Sequence, residues 1–175
     1  MARPELSPRY RFRPVEPRDL PLLRRWLSEP HAREWWGEDV DASLAEIEEA
    51  IDSISTEPLI VELAGKPIAY LQSYDPHLED DHPYQDQVFG TLGLDITVGP
   101  PEFLGKGHGP AIVRQFAEEL FSEGAPRLVI DPDPANVRAI RAYEKAGFRE
   151  FDRRTTEYGP AVMMALDAPD EDFSA

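Results

Sequence analysis

Leu104-Gly105-Lys106-Gly107-His108-Gly109 lies between an apolar strand pattern, residues 88–98, and a helical one carried by Ile112, Val113, Phe116, Leu120 and Phe121. Its three glycines let the main chain come close to a ligand, and the first N–H groups of a helix have no partner inside it. The segment is therefore suited to phosphate oxygens. Pro110 fits a first helical turn, where its missing N–H costs nothing. A glycine-rich turn before a helix also serves simply to redirect the chain, so these six residues alone leave both readings open.

Downstream, Asp131-Pro132-Asp133-Pro134-Ala135-Asn136 follows a short apolar strand, 127–130, and opens a helix expected over about 135–146, with Gly147 as its C-cap. Asn136 and Tyr143 are about two helical turns apart, so both can face one groove. Asn136 equally reads as a helix cap, and Tyr143 as a core aromatic with its hydroxyl at the surface.

Working outward, residues 9–15 alternate as a strand, and Asp19 precedes Leu20, Leu22, Leu23, Trp26 and Leu27 at helical spacing. Leu44, Ile47, Ile51 and Ile54 predict a second helix capped by Asp41 or Ser43. Strands at 59–63 and 67–74 flank the hairpin turn Ala64-Gly65-Lys66, and a last hairpin joins 148–156 to 161–166. The acidic segment 75–86 is a long loop, which in a compact domain is either functional or disordered. We take it as a substrate-side loop. The expected organisation is an N-terminal tail over 1–8, one domain over 9–167 and an acidic tail over 168–175.

Thirty-four acidic residues against 18 basic ones give a formal charge of −16. Such a field repels nucleic acid and anionic membranes and draws in a cationic small molecule, although excess carboxylate also serves plain solubility. No cysteine is present, which removes disulfides, thiolate metal sites and cysteine nucleophiles. Without an apolar run long enough for a membrane span or an apolar N-terminal stretch, a cytoplasmic protein is expected.

Taken together, the glycine loop and the Asp131–Phe148 segment resemble the GCN5-related N-acetyltransferase (GNAT) superfamily, in a likeness that runs from Arg11 to Leu166. The resemblance implies an α/β (α+β) fold. Its central sheet is mixed and mostly antiparallel, with about seven strands splayed between the fourth and fifth, and about four helices flank it. It implies acetyl-coenzyme A as co-substrate, with its pyrophosphate on the amides of Gly105, Lys106, Gly107, His108 and Gly109. The pantetheine arm would lie beside the main chain of Ile96, Thr97 and Val98 and touch Asn136, and Tyr143 would protonate the leaving thiolate. Leu104 departs from the Arg or Gln usual at the first motif position, which weakens a side-chain contact but not the amide cradle.

Within the family the chain is most similar to the aminoglycoside 6′-N-acetyltransferases, through Glu34-Trp35-Trp36-Gly37, Gln72-Ser73-Tyr74, Gly93-Leu94-Asp95 and Gly159-Pro160-Ala161-Val162. That likeness implies Asp95 as base, Asp131 as a carboxylate for a substrate ammonium, and Trp35 and Trp36 as pocket walls, although by composition alone the pair reads equally as a packed connection between the first two helices. The implied partner is a cationic small-molecule amine, not nucleic acid or membrane, for an enzyme that is a monomer or homodimer. Two other readings remain: a siderophore-type acyltransferase acting on hydroxylated lysine, which tends to carry histidine where Asp95 stands, and a non-catalytic coenzyme A-binding module.

The chemistry fits these residues. An alkylammonium of pKa near 10 must lose a proton before attack, at a cost of roughly 4 kcal/mol at pH 7. Asp95, in a strand, can take that proton directly or through water if burial raises its pKa; otherwise it is a carboxylate bonded to nearby backbone. A main-chain N–H near Thr97 or Val98 can stabilise the oxyanion. With no cysteine and no Gly-x-Ser-x-Gly elbow, direct attack in a ternary complex is expected. His77 and His82 have no recognised metal-ligand spacing, so no metal is expected. His108 is expected to face solvent, and His31 reads as a helix-end residue or a pocket wall.

Overall fold

The computed structural model describes residues 9–170; the expected tail 1–8 and the end of the acidic tail, 171–175, lie outside the described residues. The chain runs β1 (Tyr10–Pro14), α1 (Leu20–Leu27), α2 (Pro30–Trp35), α3 (Val40–Ala50), β2 (Thr56–Leu63), β3 (Lys66–Tyr74), β4 (Leu92–Val98), α4 (His108–Ser122), β5 (Arg127–Ile130), α5 (Val137–Lys145), β6 (Arg149–Thr156) and β7 (Gly159–Asp167). Seven strands make one sheet in the order β1-β2-β3-β4-β5-β7-β6. Every neighbouring pair is antiparallel except β4 and β5.

That parallel pair positions the site. It holds only two residue pairs, Leu92 with Leu128 and Gly93 with Val129, whereas β4 stays paired with β3 as far as Val98. From Leu94 onward β4 therefore leaves β5 while keeping its other neighbour, and the sheet opens as the resemblance implies.

Strand alternation sends successive side chains to opposite faces. On one face Leu59, Val61, Leu71, Leu94, Leu128, Ile130, Val162 and Met164 pack against Ile112, Val113, Phe116 and Leu120 of α4. On the other, Ile60 and Tyr70 pack against Leu23, Trp26 and Leu27 of α1 and Leu44 and Ile47 of α3. Further along that second face, Val129, Ala161, Met163 and Ala165 are covered by Tyr74 and, from the 75–86 loop, Tyr84. The second face thus has a helical half and a loop half, and the opening of the sheet lies between them.

Several expected boundaries move. The helix expected to reach Ile54 ends at Ala50, and Ile54 is 87% exposed. The Ser53 hydroxyl accepts from the amides of Ser55 and Thr56, a local alternative to continuing the helix. The cap is Asp39, which accepts from the Ala42 amide at 3.0 Å, rather than Asp41 or Ser43. The short helix α2, with Pro30 in its first turn, adds to the expected set. β4 starts at Leu92, because Val88 begins a turn that receives the Thr91 amide and leaves Val88 and Phe89 exposed.

Candidate active site

The glycine loop has the backbone its composition suggested. Gly105 (φ +71°) and Gly107 (φ +82°) are left-handed, a region costly for any residue with a Cβ, and Gly107 is the N-cap of the 15-residue α4. Lys106 is exposed between them. His108 is half-buried rather than freely solvent-facing: its Nδ1 is hydrogen-bonded to the Tyr10 hydroxyl at 2.8 Å, and its ring meets Phe103 edge-on. The loop is thereby tied to β1. Asn136 caps α5, its Oδ1 accepting from the Ala139 amide at 3.2 Å. Tyr143 lies on α5 beside Phe148. Burial, with Asp95 and Asp131 nearby, raises its phenol pKa and keeps it a proton donor at neutral pH.

Asp95 and Asp131 flank the opening. Continuing the β4–β5 register places them opposite each other, two residues beyond the last paired position, and alternation puts both on the second face. Asp95 sits across from Gln72 of β3, whose amide donates to its Oδ2 at 2.8 Å; the Tyr70 hydroxyl in turn donates to Gln72 Oε1 at 2.6 Å. Desolvation and then the neighbouring Asp131 push the Asp95 carboxyl up to about 7, against the opposing Gln72 hydrogen bond. Asp131 is also raised by burial, opposed by the Tyr84 hydroxyl that donates to its Oδ2. Two carboxyls in one desolvated site titrate as a pair, and both shifts run upward.

The tryptophans separate. Trp36 packs edge-on against Tyr70 at 5.5 Å, so it buttresses the chain Tyr70–Gln72–Asp95, while Trp35 is 42% exposed at the end of α2. Also from α2, His31 donates from Nε2 to the Val98 carbonyl at 2.7 Å and fixes the end of β4 beside Ile96 and Thr97.

The 75–86 segment is ordered by hydrogen bonds of its own, such as Gln85 Nε2 to the Glu79 carbonyl at 2.6 Å, and by contacts that no short sequence window contains. Tyr84 is 2% exposed and Arg154 of β6 clamps the loop from outside. The Arg154 guanidinium donates to Asp86 Oδ2 at 2.6 Å and to the Pro83 carbonyl at 3.2 Å, and lies over the Tyr84 ring. His82 accepts from the Tyr84 amide through Nδ1, while its Nε2 is 3.4 Å from Glu79. Sequence reading passed over Tyr84, Arg154 and the role of Gln72. The available signal was an aromatic residue alone in an otherwise acidic loop.

With this geometry in view, residues 16–156 match the family described as "Acetyltransferase (GNAT) domain". The aminoglycoside N(6′)-acetyltransferase type 1 of Klebsiella pneumoniae is 39% identical over 154 residues, 83% of this chain and 77% of that protein. Among solved structures, the aminoglycoside acetyltransferase AAC(6′)-Ib in complex with coenzyme A and kanamycin superposes with a TM-score of 0.82 at 36% identity, covering 91% of this chain and 95% of that one. An AAC(6′)-Ib complex containing acetyl-coenzyme A gives the same TM-score at 35% identity, with 90% and 93% covered. The sheet with its open parallel seam is thus one that this chain shares with solved acetyltransferases, and the chain belongs to the GNAT acetyltransferase family.

Proposed function

We propose that this chain transfers the acetyl group of acetyl-coenzyme A to a primary amine of a cationic small molecule, the 6′-amine of an aminoglycoside. The observation that carries this reading is the pair Asp95 and Asp131, set opposite each other where β4 parts from β5. One member can anchor an ammonium while the other takes a proton from it. Bound acetyl-coenzyme A supplies the thioester carbonyl that is attacked.

The chain's residues then divide the work. The amides of Gly105 to Gly109, Pro110 following without an N–H, face the pyrophosphate, and Asn136 and the β4 main chain from Ile96 to Val98 face the pantetheine. Asp131 holds the ammonium, and Asp95 accepts its proton directly or through a water, a transfer suited to a carboxyl raised to about 7. An amide of β4 beyond the paired segment stabilises the oxyanion, and Tyr143 gives its proton to the departing thiolate. The chain has no cysteine for a covalent acyl-enzyme, so attack is direct. The siderophore-type reading is disfavoured by Asp95 itself, since those enzymes tend to carry histidine there.

The test is release of free coenzyme A when acetyl-coenzyme A is mixed with kanamycin, with the product located at the 6′-amine by mass spectrometry. Turnover of a hydroxylated lysine without turnover of kanamycin overturns the substrate class and leaves the acyltransferase. Coenzyme binding without turnover of any amine in a broad panel points to the binding module instead.

A further inference from the structure

The mechanism leaves one buried polar contact without a use. Tyr84 comes from the 75–86 loop, is buried against Tyr74, Val129, Ala161, Met163 and Ala165, and directs its hydroxyl to Asp131 Oδ2. A merely structural tyrosine in that cluster needs the ring but not the hydroxyl, and solvent or backbone would serve as its partner. Instead the hydroxyl meets a carboxyl at the acceptor site, and Arg154 holds the loop in place through Pro83 and Asp86.

We propose that Tyr84 is a positioning and specificity-determining residue: by taking part of the accepting capacity of Asp131 Oδ2 it biases the carboxyl toward a single-point contact with a primary ammonium and against a guanidinium, which binds best across both oxygens. This rests on the reading of Asp131 as the anchor for the substrate ammonium. An ammonium is a point donor and is satisfied by one oxygen, whereas a guanidinium forms its strongest contact as a fork on two. The hydroxyl also donates to the charged form of a carboxyl that burial works to neutralise, so it keeps Asp131 available as an anion. The other titratable groups acting around Asp131 are Asp95 of β4, Tyr74 of β3, Tyr143 of α5 and His82 of the same loop, with Arg154 of β6 over the Tyr84 ring.

The experiment compares wild type with Tyr84→Phe, which keeps the ring. With kanamycin as acceptor, KM is expected to rise about tenfold at a pH just below neutral, as for loss of one hydrogen bond to a charged group, and the deficit is expected to shrink as pH rises. Methylguanidine, a guanidinium with no amine, is expected to compete relatively better against kanamycin in the variant, while acetyl-coenzyme A affinity is unchanged. A KM unchanged at every pH, or raised equally at every pH with no gain for methylguanidine, overturns the proposal. Carbon-13 NMR titration of Asp131 in the protein without acceptor gives a substrate-independent arm, with a higher midpoint in Tyr84→Phe than in wild type. An unchanged midpoint overturns the Tyr84–Asp131 link even if kanamycin is turned over. Conversely, a raised midpoint in a protein that ignores kanamycin condemns the substrate and not the link. If Tyr84→Phe does not fold, a fluorotyrosine at position 84, a stronger donor, must move the midpoint the other way; no movement rejects the proposal.

Discussion

Asp95 shows how far one side chain can be read before its surroundings are known. The resemblance marked it as a candidate base, and Asp131 as a carboxylate for a substrate ammonium, but not what brings them together, which is that the β4–β5 register aligns them just past its last pair. The chemistry asks for a carboxylate, and burial holds the Asp95 carboxyl protonated until about pH 7. kcat/KM in the wild type is therefore expected to fall as pH drops below about 7, because the protonated base cannot accept. In Asp95→Asn that limb disappears and kcat falls by about 10²- to 10⁴-fold at neutral pH, the loss shrinking as pH rises and the amine deprotonates unaided. A pH-rate profile in which the variant keeps the wild-type limb assigns the base elsewhere. Tyr84 could not be found this way: its significance lies in a partner 47 positions distant.

The elements were legible where local rules govern them. α4 and α5 carry strong periodicity, and Gly107 and Gly147 mark their ends with left-handed backbone. α3 was overextended because Ile54 continues the helical spacing, while Ser53 diverts the backbone through its own hydroxyl. The 75–86 loop was opaque because part of its order comes from Arg154 and Asp131, far along the chain. β4 depends on a close approach that sequence hints at only as a glycine. A Cβ built on Gly93 would stand 2.0 Å from Tyr74 Cζ, so the tyrosine ring lies flat over this strand. Gly93→Ala must displace that ring from the Tyr84 cluster, at about 1–3 kcal/mol as for overpacking elsewhere. Thermal or urea unfolding checks this, and stability within error of wild type shows that the ring swings aside freely.

On the scale of the whole molecule, a charge of −16 surrounds a candidate site that holds two carboxyls of its own. If that field guides the acceptor, raising ionic strength from about 0.1 M to about 1 M shortens its reach from about 10 Å to about 3 Å and lowers kcat/KM for kanamycin, chiefly through KM. A neutral monoamine should show little change, and an equal response from both traces the salt effect to the protein. The fold contributes a different liability. A sheet ordinarily has two outer edges, here β1 and β6, but the early parting of β4 from β5 creates further unpaired backbone in its middle. Such backbone is a template for any extended chain, including another molecule's. A coenzyme arm lying along β4, as in the proposed function, would close that gap, so saturating acetyl-coenzyme A is expected to slow aggregation of the warmed protein as well as to serve catalysis.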